Sequence, residues 1–214
     1  MLGEKLLRFN FDQDYCFFDK ETENLNLVNG NRPWQLAYLT AKGQKITGKF
    51  DKYLRWPDIN VSPEAAKITG FKKEKYLDLA EDPKKVLKEF DEFILDNKYY
   101  VCGHNILGFD VYMYNVIRKE LGLPTNYSFI DRCIDTNCLA KAIKFEVRYE
   151  KDVIDFISWQ YKLTEYRKRG VKTNLQQLCK EYDIDFDPSF LHNALYDIEK
   201  NFEVFWKQLW EIEI

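Results

Sequence analysis

The stretch Tyr15-Cys-Phe-Phe-Asp-Lys-Glu-Thr-Glu-Asn24 constrains this chain more than any other. Tyr15 to Phe18 are apolar or aromatic enough to form a buried strand. Asp19 and Glu21 follow, two residues apart, and a strand's side-chain period of two places both on one face. Two like charges at the end of a buried strand repel each other and are costly to desolvate. A bound cation between them would stabilise the pair. Two solvated acids at an exposed strand end would give the same pattern, so the remaining carboxylates have to decide.

The chain has 214 residues, enough for one domain with a substantial core. A formal net charge of −3 gives no global positive field toward nucleic acid, so a nucleic-acid partner would need a local basic patch or bound cations. Cysteines 16, 102, 133, 138 and 179 form no Cys-x-x-Cys pair and are expected to be reduced thiols in a cytoplasmic protein, without structural zinc. No secretory leader or membrane span is expected, and no membrane partner.

Arg32 to Thr40 and Lys45 to Tyr53 read as two strands around a Gly43 turn, so the first three strands are antiparallel in sequence. Ser62-Pro-Glu and Asp82-Pro83 each open a helix, the first stopped by Gly70. Tyr99 to Gly103 reads as a parallel strand, followed by His104-Asn-Ile-Leu-Gly-Phe-Asp110 and a helix through Leu121. On that helix Asp110 heads the apolar stripe of Met113, Ile117 and Leu121. An acid there can simply favour the helix N-terminus, but its place beyond a strand end is also where open α/β sheets gather their sites.

Ser128 to Thr136 reads as a further strand. The 144–172 segment interleaves aromatics with bases, a mixture that suits single-stranded nucleic acid. Acids dilute most of it, leaving Arg167-Lys-Arg169 as its basic focus, and a helix is expected to end at Gly170. Asn174 to Tyr182 forms a short helix. The last helix runs to about Trp210 with Ala194, Ile198, Phe202, Phe205 and Leu209 as its buried stripe. Asp197 lies beside that stripe, and His192 sits at the helix start, where a neutral imidazole can accept a proton from water.

Taken in order, Asp19-Lys-Glu21-Thr22, His104-Asn105 with Phe109-Asp110, and His192-x-Ala194-x-x-Asp197 resemble the three motifs of the DEDDh 3′-to-5′ exonucleases. Ile68-Thr-Gly70 and Asp135-Thr136 are weaker echoes of the same pattern. The resemblance implies one exonuclease domain over 1–214, with a helical insertion at about 144–172. The implied fold is ribonuclease H-like α/β: a mixed five-stranded sheet, its first three strands antiparallel, flanked by helices. It implies two divalent cations, Mg²⁺ or Mn²⁺, held by Asp19, Glu21, Asp110 and Asp197. Such ions sit about 3.5–4 Å apart and stabilise the attacking and leaving oxygens of an in-line displacement. Asp19 would bridge both ions, Glu21 and Asp197 would complete one site, and Asp110 would serve the other. His192 would take a proton from water, and Thr22, Asn105 and Phe109 would contact substrate.

The expected reaction is 3′-to-5′ hydrolysis of nucleic acid from a single-stranded 3′ end, releasing nucleoside monophosphates, with DNA ahead of RNA. A 3′-trimming exoribonuclease of the same fold stays open. So does a module that binds nucleic acid or a polymerase without cutting. A polymerase or a second copy of the chain stays open as partner. Two departures from the family pattern bear on substrate. Glu23-Asn24 replaces the usual small pair and adds an acid near the scissile phosphate, and the 144–172 segment is longer than in the smallest members.

Overall fold

The protein is described by a computed structural model in which residues 5–25, 27 and 30–214 are defined. The aromatic stretch forms β1 (Asp14–Thr22), buried on both faces at Tyr15 to Phe18. β2 (Pro33–Lys42) and β3 (Lys45–Leu54) follow it antiparallel, with Phe17 opposite Leu39 and Tyr38 opposite Phe50. α1 (Pro63–Thr69), α2 (Lys73–Leu79), β4 (Ala80–Glu81) and α3 (Pro83–Ile94) come next. β5 (Tyr99–Gly103) lies parallel to β1 and leads to α4 (Asp110–Glu120). The chain ends with β6 (Cys133–Asp135), α5 (Thr136–Lys144), α6 (Phe156–Thr164), α7 (Leu175–Glu181) and α8 (Ala194–Gln208).

The sheet order is β4-β3-β2-β1-β5-β6, which puts β1 at the centre. The strand beyond the expected five is β4, two residues parallel to the end of β3 and too short to carry a period in sequence. Ser62 and Asp82 cap their helices through their side chains, and Gly70 ends α1 in the left-handed region at φ +66°.

Two expectations need correction. The strand expected over 128–136 is three residues long. Ile130–Arg132 is a 3₁₀ turn and Thr136 already begins α5, because Asp135 caps that helix by accepting from the Asn137 and Cys138 amides. The helix expected to reach Gly170 stops at Thr164, where Lys141 Nζ and the Arg167 guanidinium both donate to the Thr164 carbonyl and close the helix end. Neither α2 nor α5 was legible beforehand.

The two faces of the sheet are covered separately. Tyr15 and Phe17 pack against α8: Tyr15 meets Phe205 and Trp206, and Phe17 meets Phe202 and Phe205 at ring separations of 5.3–6.0 Å. Cys16 and Phe18 face α3 and α4 through Phe90, Val111 and Tyr114. All five cysteines are free and buried. Among the described residues no helix is long and apolar enough to cross a membrane.

Candidate active site

The packing of α8 on β1 dictates where the acids meet. The helix runs opposite in direction to the strand, so successive contacts step from Tyr15–Phe205 to Phe17–Phe202. One step further along the same face of β1 come Asp19 and then Glu21, and one turn further back on α8 comes Asp197. The outcome is a cluster in which one carboxylate oxygen each of Asp19, Glu21 and Asp197 lies within 4.8 Å of the others.

Asp110 approaches from the other side. It is buried at the N-terminus of α4, where its charge acts on Glu21 and the Asp19 charge acts on it. Its position depends on how closely β5 lies beside β1. A methyl group on Gly103 would fall 2.8 Å from the Phe18 carbonyl and 2.2 Å from the Ile106 side chain, so only glycine lets the chain turn here toward α4. Asp135 then fixes the turn, its carboxylate accepting from the Asn105 and Leu107 amides at 2.9 and 3.1 Å.

Crowding and burial shape the electrostatics. Burial, and then the Asp197 charge, push the Asp19 carboxyl from 3.8 to about 7. Burial pushes Asp197 to about 7 as well, partly offset by the His192 amide, which donates to its Oδ2 at 3.1 Å. Glu21 is raised well above its ordinary value by burial and then by Asp19, Asp197 and Asp110. Asp110 is raised by burial and then by Asp19. Asp110 Oδ1 and Asp197 Oδ1 are buried and accept no hydrogen bond among the described residues. Unfilled oxygen lone pairs on a crowded, all-oxygen donor set fit a hard divalent cation.

Lys20 is the residue that inspection of the motif misses. Alternation sends it to the opposite face from Asp19 and Glu21, alongside Phe18, where its Nζ lies 4.0 Å from the ring centroid. It is buried, donates to the Asp110 carbonyl at 3.1 Å, and stands 3.9 Å from Asp110 Oδ1. Burial lowers it to about 8, against the pull of Asp110 and Asp19. A fixed cation thus underlies the fourth acid. The available signal was the parity of Cys16, Phe18 and Lys20.

His192 is exposed, at φ +67°, in the turn before α8. That backbone region is uncommon outside glycine and is held here by the hydrogen bond that the His192 N–H donates to the Asp197 carboxylate and by Asn193, which caps α8. Asn105 is exposed, also left-handed at φ +63°, and Phe109 is half-buried immediately before α4. Thr22 is buried, its hydroxyl donating to the Asn24 carbonyl. His104, in the second motif, is a neutral structural group. Burial lowers it to about 4, and its ring is held between Thr136 Oγ1, at 3.0 Å, and the main chain of Thr173.

Glu23, expected near the scissile phosphate, is instead buried and saturated. It takes two hydrogen bonds of 2.9 Å from the Arg32 guanidinium, one of 2.7 Å from the Asn60 amide, and one from the Arg32 amide. Arg32 continues to Asp58 at 2.7 Å. This acid pins the turn after β1 to the 58–60 loop.

The sequence matches the RNase T exonuclease family model over residues 16–143 and 113–205. No curated protein sequence matches. Among solved structures, similarity extends to the zinc-bound complex of Escherichia coli exonuclease I with single-stranded DNA, at TM-score 0.70 and 17% identity over 91% of this chain. An exonuclease I complex with the C-terminal segment of SSB superposes at TM-score 0.67, with 15% identity over 92% of the chain. A 3′-exonuclease that recognises the histone mRNA stem-loop superposes at 0.65, with 14% identity over 96%. The chain spans 40–41% of the exonuclease I chains and 66% of the histone mRNA exonuclease. Those likenesses carry the fold, and the family model, covering most of the sequence, carries the kinship: this chain belongs to the RNase T exonuclease family.

Proposed function

We propose that the protein is a metal-dependent 3′-to-5′ exonuclease that hydrolyses the terminal phosphodiester bond of single-stranded nucleic acid and releases nucleoside monophosphates. The observation that carries this reading is the convergence of Asp19, Glu21 and Asp197 within 4.8 Å, with Asp110 buried on their far side. Asp19, Glu21 and Asp197 would hold one divalent cation, Mg²⁺ or Mn²⁺, and Asp19 with Asp110 a second. Bound there, the cations supply charge stabilisation for the attacking and leaving oxygens.

The chain's own groups do the rest. His192, exposed beside Asp197, takes a proton from the attacking water at an unprotonated ring nitrogen. Its main-chain bond to Asp197 Oδ2 ties the position of the base to that of a metal-holding acid. Exposed Asn105 and half-buried Phe109 flank the fourth acid and orient the terminal nucleotide. The left-handed backbone at Asn105 is set by the Asp135 carboxylate, so this contact is preorganised.

DNA is the preferred substrate, in line with the exonuclease I complexes, and the histone mRNA neighbour makes RNA the arm to test beside it. An unpaired acid at Glu23 would be the best support for a non-cutting module, because it would repel substrate, and the saturation of that carboxylate by Arg32 and Asn60 speaks against that reading. The deciding assay uses 5′-labelled single-stranded DNA and RNA of one sequence with Mg²⁺ or Mn²⁺. A ladder shortening from the 3′ end and abolished by chelator is expected. Cleavage of neither strand with either metal refutes the assignment.

A further inference from the structure

Beside the acid cluster lies a cleft of about 770 Å³ that meets the motifs only at His104 and Asn105. Asn105, two residues past the end of β5, and Lys141 of α5 line it. Residues of the loop from Tyr166 to Asn174 line it as well. Cleft and cluster share the strand ends of β1 and β5, since Gly103 abuts Phe18, the residue before Asp19.

The charge of this cleft runs against that of the protein. The chain carries a net −3, yet Arg167-Lys-Arg-Gly-Val-Lys172 places four cations in six residues with no acid among them. Two of the cleft's cations serve the fold: Lys141 Nζ and the Arg167 guanidinium both donate to the Thr164 carbonyl. Lys168, Arg169 and Lys172 are exposed and have no ion-pair partner among the described residues. Neighbouring Lys144 shows the contrast, paired with Glu181 at 2.6 Å. Three unneutralised cations beside two fixed ones repel one another, and an anion laid along the cleft relieves that repulsion.

Two further observations fit an extended polyanion better than a single phosphate. Tyr166 is exposed where it lines the cleft and makes a T-shaped contact with Phe145 at 5.6 Å, which puts an aromatic ring within reach of a base. The basic loop is also tied to the catalytic edge, because the His104 ring binds Thr136 on one side and the main chain of Thr173 on the other.

We propose that this cleft is a binding site for the upstream part of a single-stranded nucleic acid whose 3′ end lies in the acid cluster. Lys168, Arg169 and Lys172 contact non-bridging phosphate oxygens, and Tyr166 stacks on a base. The proposal rests on the exonuclease reading for the direction of the strand, not for the presence of the strand.

The test compares wild type with the triple variant Lys168→Gln, Arg169→Gln, Lys172→Gln. The substrates are a single-stranded 12-mer and thymidine 5′-p-nitrophenyl phosphate, which has no upstream nucleotides. The 12-mer KM is expected to rise about tenfold or more at physiological salt while kcat stays within twofold. The slope of log binding constant against log salt should fall in magnitude by about 2, at about 0.7 per phosphate contact of a single strand. Hydrolysis of the chromogenic ester should not change. Unchanged KM and salt slope overturn the proposal, as does an equal loss on the small ester. Should wild type hydrolyse neither substrate, the exonuclease reading fails by itself. Fluorescence anisotropy of the labelled 12-mer with metal-free protein then judges the cleft. Loss of binding in the triple variant supports it, and equal binding in both proteins overturns it. Displacement of the 12-mer by polyglutamate at equal charge concentration, as effective as by unlabelled 12-mer, also overturns it.

Discussion

Replacing Asp19 by Asn should make the metal-free protein more stable at alkaline pH, although it removes the central candidate metal ligand. In the folded chain, burial and the Asp197 charge raise Asp19 from 3.8 to about 7. The folded state therefore binds this proton more tightly than the unfolded state. The resulting stabilisation is complete below about pH 4 and is lost as pH climbs through 7. From pH 5 to pH 8 the loss covers about two pH units, or about 3 kcal/mol for one proton at about 1.4 kcal/mol per unit. Asp19 is only half-buried, and water at the open rim of the cluster brings this to about 2 kcal/mol. Lys20 adds nothing in this window, because its depression to about 8 affects stability only at higher pH, between about 8 and its ordinary 10.5.

The measurement is urea unfolding in chelator at pH 5 and pH 8. Groups common to both proteins cancel in the comparison. What remains is Asp19 plus the part of the Glu21 and Asp110 shifts that its charge causes. Asp19→Asn should already unfold at higher urea than wild type at pH 5, where the unfolded carboxyl is ionised, and that gap should widen by about 1 M from pH 5 to pH 8, given a slope of about 2 kcal/mol per molar. Magnesium at a hundredfold excess over its dissociation constant should restore about 2.7 kcal/mol to wild type and little to the variant. Parallel pH profiles for the two proteins, or a wild type that gains stability between pH 5 and pH 8, refute the reasoning.

Three further outcomes are expected. Lys20→Met keeps the apolar stem against Phe18 but strips the Asp110 carbonyl of its donor, and should cost about 2–3 kcal/mol in metal-free urea unfolding. Magnesium should recover more stability in that variant than in wild type, since a bound cation takes over neutralisation of Asp110. Glu23→Gln should cost about 2 kcal/mol, because Arg32 keeps Asp58 as a partner, while chromogenic-ester hydrolysis stays within twofold. His192→Ala should lower kcat by about 10²–10⁴ with stability changed by less than about 0.5 kcal/mol, its side chain being exposed; a kcat within threefold of wild type excludes it as the base.

What was legible beforehand is what the local chain dictates. The run Tyr15 to Phe18 can only be a strand buried on both faces, and the period of two then puts Asp19 and Glu21 together. The stripe Ala194, Ile198, Phe202 and Phe205 orients α8 so that Asp197 arrives at the same place. What was not legible depends on partners distant in sequence. The end of α6 at Thr164 is decided by Lys141, 23 residues earlier, and by a guanidinium that folds back on the helix. β4 exists because the end of β3 offers it an edge. Lys20 looks like an exposed filler between two acids, and only the depth of the sheet beneath it makes it a buried cation.

Glu23 and Asp110 show why composition alone misjudges a site. Both are buried acids in or near motif positions, and sequence assigns Glu23 to the phosphate as readily as Asp110 to a metal. Their surroundings differ in one respect that decides function. Every oxygen of Glu23 is taken, by a guanidinium in fork geometry and by two main-chain amides, so its charge is already neutralised and nothing remains to offer a ligand. Asp110 Oδ1 and Asp197 Oδ1 are as well shielded from water as Glu23 and yet accept no hydrogen bond. A fold that leaves buried carboxylate oxygens unfilled gives up stability that a satisfied network would supply. The fold around Glu23 holds without any ligand, whereas a bound cation would fill the oxygens left open around Asp19, Glu21, Asp110 and Asp197, and the pH and magnesium responses expected of that cluster follow from the difference.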